Sequence, residues 1–141
     1  MPADRSESVL DASALLAYLE GERGVDVVAA AIATGAAISS VNLAEMLSTL
    51  ASRGVEPSEV STELADRGLL GGAISVEPFT YADAVETARL RPMTRSVGLS
   101  LGDRACLALG RRLSAPVLTA DQAWAVLDVG IVVSFIREPG P

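Results

Sequence analysis

The pattern of apolar and polar residues changes period repeatedly along the chain, and each change predicts a new strand or helix. Short extended apolar runs are typical of strands, whereas apolar residues that recur every three or four positions are typical of helices. The predicted strands are Ser8 to Asp11, Ala36 to Ser40, Ile74 to Phe79, Pro116 to Thr119 and Ile131 to Ile136. The predicted helices are Leu15 to Gly21, Gly24 to Thr34, Leu43 to Gly54, Glu56 to Leu70, Thr80 to Arg91, Leu101 to Leu113 and Trp124 to Leu127.

Three prolines set limits on these elements. Pro57 suits the first turn of the helix that begins at Glu56, where a missing backbone N–H costs nothing. Pro78 removes a donor from the third strand, which favours a position at the edge of the sheet. Pro92 predicts the end of the helix that Thr80 and Asp83 open with the spacing of a capping box.

Strands separated by helices favour a parallel sheet with helices on both faces. We therefore expect an α/β fold, a three-layer sandwich with a mainly parallel central sheet of about five strands flanked by helices. A chain of 141 residues has the size of one domain. We expect a single domain over residues 1–141, with residues 1–7 and 138–141 as flexible termini.

Composition points to an aliphatic core and a cytoplasmic protein. Half of the residues are apolar but only 4% are aromatic, so Ala, Val, Leu and Ile must fill the interior. No apolar run approaches the roughly 20 residues that a membrane-spanning helix needs, and residues 1–8 lack the apolar middle of a signal peptide. The single Cys106 cannot form an internal disulfide and is expected to be buried and inert.

The residue types that are missing exclude whole mechanisms. The sequence has no His and no Lys, so all eleven basic residues are Arg. This removes Ser-His and Cys-His nucleophiles, His-ligated zinc, a P-loop lysine and a Schiff base. Carboxylates, hydroxyls, Arg and any metal that carboxylates can hold remain for catalysis. The net charge of −7 argues against a nucleic-acid partner, unless cations bound to several acids offset part of it.

Four acids stand out, each with a structural alternative. Asp11 and Asp121 follow strands and should lie at the same edge of the sheet, although each could simply cap a helix. Asp103 could close a capping box with Ser100, yet it lies on the apolar side of its helix and therefore needs a partner. Glu45 shares a helix face with polar residues, as a solvated stripe would.

Two other readings of the motifs fail on missing partners. Residues 98–102 fit the G-x-S-x-G pattern of a serine hydrolase, but no His exists to activate Ser100. A phosphotransferase with an Asp nucleophile would place Asp11 similarly, but the second Asp of that motif and a Lys are both missing.

Four sequence blocks together resemble the PIN domain family. Residues 9–16 (Val-Leu-Asp-Ala-Ser-Ala-Leu-Leu) resemble the opening of PIN domains, and residues 40–45 (Ser-Val-Asn-Leu-Ala-Glu) resemble the second acidic block. Residues 99–109 (Leu-Ser-Leu-Gly-Asp-Arg-Ala-Cys-Leu-Ala-Leu) and 117–124 (Val-Leu-Thr-Ala-Asp-Gln-Ala-Trp) are similar to the third and fourth. Their order and spacing match over nearly the whole chain, and the closest subgroup is the VapC-type toxin of toxin–antitoxin pairs.

The resemblance implies a metal-dependent endoribonuclease that inhibits translation. It implies that Asp11, Glu45, Asp103 and Asp121 bind one or two Mg²⁺ or Mn²⁺ ions, supported by the polar residues Ser13, Asn42 and Thr119. It also implies a homodimer and a separate antitoxin that inserts an Arg-bearing peptide into the acidic cleft. The alternative is an interaction module that keeps the PIN scaffold without turnover.

Arginines near the third acid are candidates for RNA binding. An Arg-rich approach could guide phosphates past the negative centre. The alternative is that these residues form solvated surface or intramolecular ion pairs. The candidates are Arg89, Arg91, Arg95 and Arg104.

Overall fold

A computed structural model describes residues 8–139, in which five strands alternate with six α-helices and a short 3₁₀ helix. The strands are β1 (Ser8–Leu10), β2 (Ala36–Ser39), β3 (Ile74–Glu77), β4 (Val117–Thr119) and β5 (Val133–Phe135). The α-helices are α1 (Ala12–Glu20), α2 (Val25–Thr34), α3 (Ser40–Ala51), α4 (Pro57–Asp66), α5 (Tyr81–Thr94) and α6 (Leu101–Leu113), and the 3₁₀ helix is Gln122–Val126.

The strands form one parallel sheet in the order β3-β2-β1-β4-β5. In the centre, Val9 is paired with Ala37 on one side and with Val117 on the other. The edge position predicted for the strand before Pro78 is confirmed, because β3 pairs only with β2 among the described strands. The expected α/β fold is confirmed, and each strand pairing is parallel.

Each face of the sheet carries its own hydrophobic core, because successive side chains of a strand point to opposite faces. Leu10 and Leu118 belong to the core that also contains residues of α1, α2, α3 and α4. Val9 and Val117, one position earlier in each strand, belong to the core formed with α5 and α6. Helices on both faces explain why consecutive residues such as Val9-Leu10 and Val117-Leu118 are apolar and buried.

Two predicted helix ends were wrong. The α5 helix continues through Pro92 to Thr94, because a proline in the last turn disturbs little of the helix that precedes it. The α4 helix ends at Asp66 instead of Leu70, since Gly68 takes a positive φ of 78° that turns the chain away from the helix.

Residues 1–7 and 140–141 lie outside the described residues, and with them most of the expected flexible termini. Near the described end, the backbone carbonyl of Glu138 accepts a hydrogen bond of 2.9 Å from Arg23. No helix among residues 8–139 is long and apolar enough to span a membrane.

Candidate active site

The strand order creates a crevice at the carboxyl ends of β1 and β4. From β1 the chain builds the sheet in one direction through β2 and β3, and then returns to the other side of β1 with β4. Ligands of parallel α/β sheets bind at such a change of direction. Asp11 follows β1 directly, and Asp121 lies two residues beyond the end of β4.

A cavity of about 290 Å³ lies at this place, and all four predicted acids line it. Its remaining lining combines polar and apolar residues of α1 and α3. The lining residues are Asp11, Ala12, Ser13, Leu16, Glu45, Met46, Thr49, Asp103 and Asp121. Thr49 was not among the predicted site residues, although it lies one helical turn after Glu45 and therefore on the same face.

Asp11 is both the N-cap of α1 and a buried wall of the cavity, with 5% of its surface exposed. Its Oδ1 accepts hydrogen bonds from the Ser13 hydroxyl (2.7 Å) and the Ala14 N–H (2.8 Å). Its Oδ2 accepts one from the Thr119 hydroxyl at 2.5 Å. Burial, with a smaller contribution from the nearby charge of Asp103, raises the pKa of Asp11 from 3.8 to about 6 against these three hydrogen bonds.

Hydroxyl groups join the ends of β1 and β4. The Thr119 hydroxyl, which donates to Asp11, also accepts from the Asp121 N–H at 3.0 Å. The Ser13 hydroxyl accepts from the Ala120 N–H at 3.0 Å. The Asp121 carboxylate in turn caps the 3₁₀ helix by accepting from the Ala123 N–H at 3.0 Å. These bonds fix the two strand ends and thereby the positions of both aspartates.

The other two acids, Glu45 and Asp103, lie where α3 approaches the first turn of α6. The Asn42 side chain donates to Glu45 Oε1 at 2.8 Å and to the Gly102 carbonyl at 2.9 Å. Asp103 closes a capping box with Ser100, whose backbone N–H donates to Asp103 Oδ2 at 3.0 Å. Burial raises the pKa of Glu45, the Asn42 hydrogen bond opposes this, and the charge of Asp103 adds to the increase.

The cavity therefore gathers negative charge without a protein cation beside it. None of the four acids forms an ion pair with an arginine within residues 8–139. The capping explanations considered for Asp11, Asp103 and Asp121 are realised, yet the same three side chains also face a common cavity. Capping and a shared site are compatible roles here.

The four arginine candidates lie in different environments. Arg104 is only 7% exposed and donates to the Thr87 carbonyl at 2.9 Å, so its guanidinium is not at the surface. Arg89 forms an ion pair of 2.6 Å with Glu86. Arg91 and Arg95 are exposed. A surface role in phosphate binding is therefore compatible with the last two and not with Arg104 in this conformation.

The donor chemistry of the cavity fits a hard divalent cation. Carboxylates are the oxygen ligands that Mg²⁺ and Mn²⁺ prefer, and a buried carboxylate without a cation is costly. The side chains are not drawn together into a coordination cluster, since no group of three or more His, Cys, Asp or Glu among the described residues has that arrangement. The three aspartates also accept hydrogen bonds from backbone N–H groups at their own helix starts.

The serine hydrolase reading of residues 98–102 has no support in the geometry. The Ser100 hydroxyl accepts from the Asp103 N–H at 3.1 Å as the N-cap of α6, and a turn precedes it instead of a strand. Cys106 is a buried free cysteine, as expected. Burial raises the pKa of its thiol well above 9.0, and the charges of Asp11, Asp103 and Glu45 raise it further.

Comparison with known proteins agrees with this geometry. The family model of the PIN domain matches residues 8–130, and the chain belongs to the PIN domain family. A comparison with curated proteins found no significant match.

Solved structures share the fold at low sequence identity. A toxin-antitoxin complex from Klebsiella pneumoniae matches with a TM-score of 0.67 and 16% identity, covering 94% of this chain and 100% of that chain. DNA-bound VapBC from Salmonella typhimurium matches with a TM-score of 0.68 and 13% identity, covering 93% and 98%. VapC20 from Mycobacterium tuberculosis, described as a Sarcin-Ricin loop cleaving toxin, matches with a TM-score of 0.68 and 16% identity, covering 89% and 97%. At these identities the likeness concerns the fold.

Proposed function

We propose that this PIN domain is a divalent-metal-dependent endoribonuclease that hydrolyses RNA phosphodiesters. The observation that carries the proposal is the cavity at the ends of β1 and β4, which four carboxylates line without a protein cation. Like charges repel more strongly where the effective dielectric is low, so carboxylates that line one cavity favour a bound cation there. Carboxylates are the only ionisable groups among the described residues that line this cavity.

The proposal assigns each of these residues a role. Asp11 and Asp103 would hold the principal Mg²⁺ or Mn²⁺ ion, and Glu45 and Asp121 would complete or orient its surroundings. A bound divalent ion supplies a water of lowered pKa and stabilises the leaving oxygen. Thr119 orients Asp11 through the hydrogen bond to Oδ2, as Ser13 does through Oδ1 and Asn42 does for Glu45. Such outer partners fix the direction of metal-binding carboxylates.

We further propose that the protein is the toxin of a toxin–antitoxin pair, acts in the cytoplasm and forms a homodimer. Support comes from the resemblance to VapC-type toxins and from similar structures described as a toxin-antitoxin complex and as a Sarcin-Ricin loop cleaving toxin. An antitoxin peptide that carries Arg would suit the unpaired acids, because guanidinium binds carboxylates in two-pronged geometry. A light-scattering mass equal to one chain would contradict the dimer.

Two capping boxes in the same chain provide a matched test of the catalytic role. Asp103 and Asp83 each close such a box, with Ser100 and Thr80 respectively, but only Asp103 lines the cavity. Asp103→Asn should abolish Mg²⁺-dependent RNA cleavage with little loss of stability. Asp83→Asn should lower stability, because Asp83 also pairs with Arg112 at 2.9 Å, and should leave the folded protein active.

The measurement is the cleavage of an RNA pool in Mg²⁺ and in EDTA, with 5′ ends mapped by sequencing. Equal activity of wild type and Asp103→Asn would refute the assignment. Tight Mn²⁺ binding by the wild type without cleavage of any RNA would favour the non-catalytic interaction module.

A further inference from the structure

The carboxyl group of Glu45 lies directly against the backbone of Gly102 in the first turn of α6. A Cβ atom built on Gly102 would overlap with Oε1, Oε2 and Cδ of Glu45. The backbone itself does not require glycine, because Gly102 is helical and is not one of the described residues with positive φ. Position 102 therefore needs glycine because glycine has no side chain. The Glu45 carboxyl group occupies the space that a side chain would fill.

Asn42 closes the same contact from α3. Its amide nitrogen donates two hydrogen bonds here, one to Glu45 Oε1 and one to the Gly102 carbonyl. The side chain is 1% exposed, and its Oδ1 has no hydrogen-bond partner within the described part of the chain. A buried acceptor without a partner costs free energy. This unfavourable burial of Asn42 Oδ1 occurs where the Asn42 amide also binds the Glu45 carboxylate, which lines the cavity.

We propose that Asn42 and Gly102 form a seat for the Glu45 carboxylate, and that Gly102 is a positioning residue of the active site. The seat places the Glu45 carboxylate against the residue that precedes Asp103 in α6. The catalytic consequence rests on the proposed function, whereas the seat itself is testable without it. The G-x-S-x-G pattern thus has another meaning: Ser100 caps α6 and Gly102 makes room for Glu45.

The variant Gly102→Ala tests the role of Gly102 in positioning Glu45 separately from any effect on stability. Alanine favours a helix more than glycine does, and the atoms it would meet form the flexible end of a long side chain. The unfolding midpoint should therefore stay level or rise, while the Glu45 carboxylate leaves its seat. The matched control is Gly110→Ala in the same helix, where the new Cβ would lie 2.6 Å from Cγ2 of buried Val117. That variant should be less stable than wild type.

NMR can observe the seat directly, because the sequence contains one Asn and one Gln. The Asn42 and Gln122 side-chain amides are the two Asn/Gln NH₂ groups of the chain, and Gln122 donates to the Arg137 carbonyl at 2.8 Å. In wild type both Asn42 protons should exchange slowly with water. Gly102→Ala should speed Asn42 exchange and leave Gln122 unchanged.

The seat would be overturned by an Asn42 amide that stays protected in Gly102→Ala, or by a loss of stability as large as that of Gly110→Ala. Mn²⁺ titration calorimetry is a second readout. Gly102→Ala and Glu45→Gln should each weaken Mn²⁺ binding by about tenfold or more, and the double variant should add nothing. Additive losses would also overturn the seat. If the wild type cleaved no RNA, the proposed function would fail while the exchange and Mn²⁺ measurements still decided the seat.

Discussion

Replacing Asp11 with asparagine should stabilise the metal-free protein while removing its nuclease activity. Asp11 is buried, forms no ion pair among the described residues, and has its pKa raised from 3.8 to about 6 by burial. An acid whose folded pKa lies above its unfolded pKa favours the folded state when it is protonated. That contribution is fully present below pH 4 and is lost as the pH rises through about 6.

The size of the effect follows from the shift. One pKa unit corresponds to about 1.4 kcal/mol, so the ionised carboxylate costs the folded state about 3 kcal/mol at pH 8 and roughly half of that at pH 5. Asparagine carries no charge, but its side chain offers one oxygen instead of two to the hydroxyl groups of Ser13 and Thr119. Losing one of these hydrogen bonds costs about 1 kcal/mol. Asp11→Asn should therefore raise the free energy of unfolding by about 2 kcal/mol at pH 8.

Urea unfolding of both proteins in EDTA at pH 4, 5 and 8 measures this difference. The advantage of Asp11→Asn should be largest at pH 8 and should vanish or reverse at pH 4. Saturating Mg²⁺ should stabilise the wild type more than the variant, since a ligand stabilises only the state that binds it. A variant that is less stable than wild type by the same amount at every pH would refute the reasoning, because the carboxylate would then act only as a helix cap.

Three further substitutions test the surrounding structure. Thr119→Val removes the hydroxyl that lowers the pKa of Asp11, so urea unfolding should show a loss of about 2 kcal/mol at pH 8 and a smaller loss at pH 4. Arg112→Ala leaves the 4% exposed Asp83 without its ion pair, and thermal unfolding should report a loss of about 2 kcal/mol; an unchanged midpoint would mean that the pair is not formed. Ser100→Ala removes an N-cap and should cost about 1 kcal/mol, while RNA cleavage persists. Complete loss of cleavage in a folded Ser100→Ala protein would instead support a nucleophilic serine.

Much of the fold could be predicted because its signals are local. The capping box at the start of α6 involves two residues three positions apart, Ser100 and Asp103. Together with the apolar pattern of the helix, it predicted both the start and the end of α6. The edge position of β3 followed from Pro78, which cannot donate to a neighbouring strand. The apolar pattern failed to predict the end of α4, because Gly68 turns the chain there.

Composition alone limits the available chemistry, because the lack of His and Lys leaves carboxylates, hydroxyls and Arg whatever the fold. How those groups are combined depends on the packing of the folded chain. The strand order joined Thr119 to Asp11, helix packing placed the Glu45 carboxyl against Gly102, and burial took Arg104 away from the surface. Contacts between residues far apart in the chain depend on how whole elements pack, and no local pattern of side chains encodes that packing.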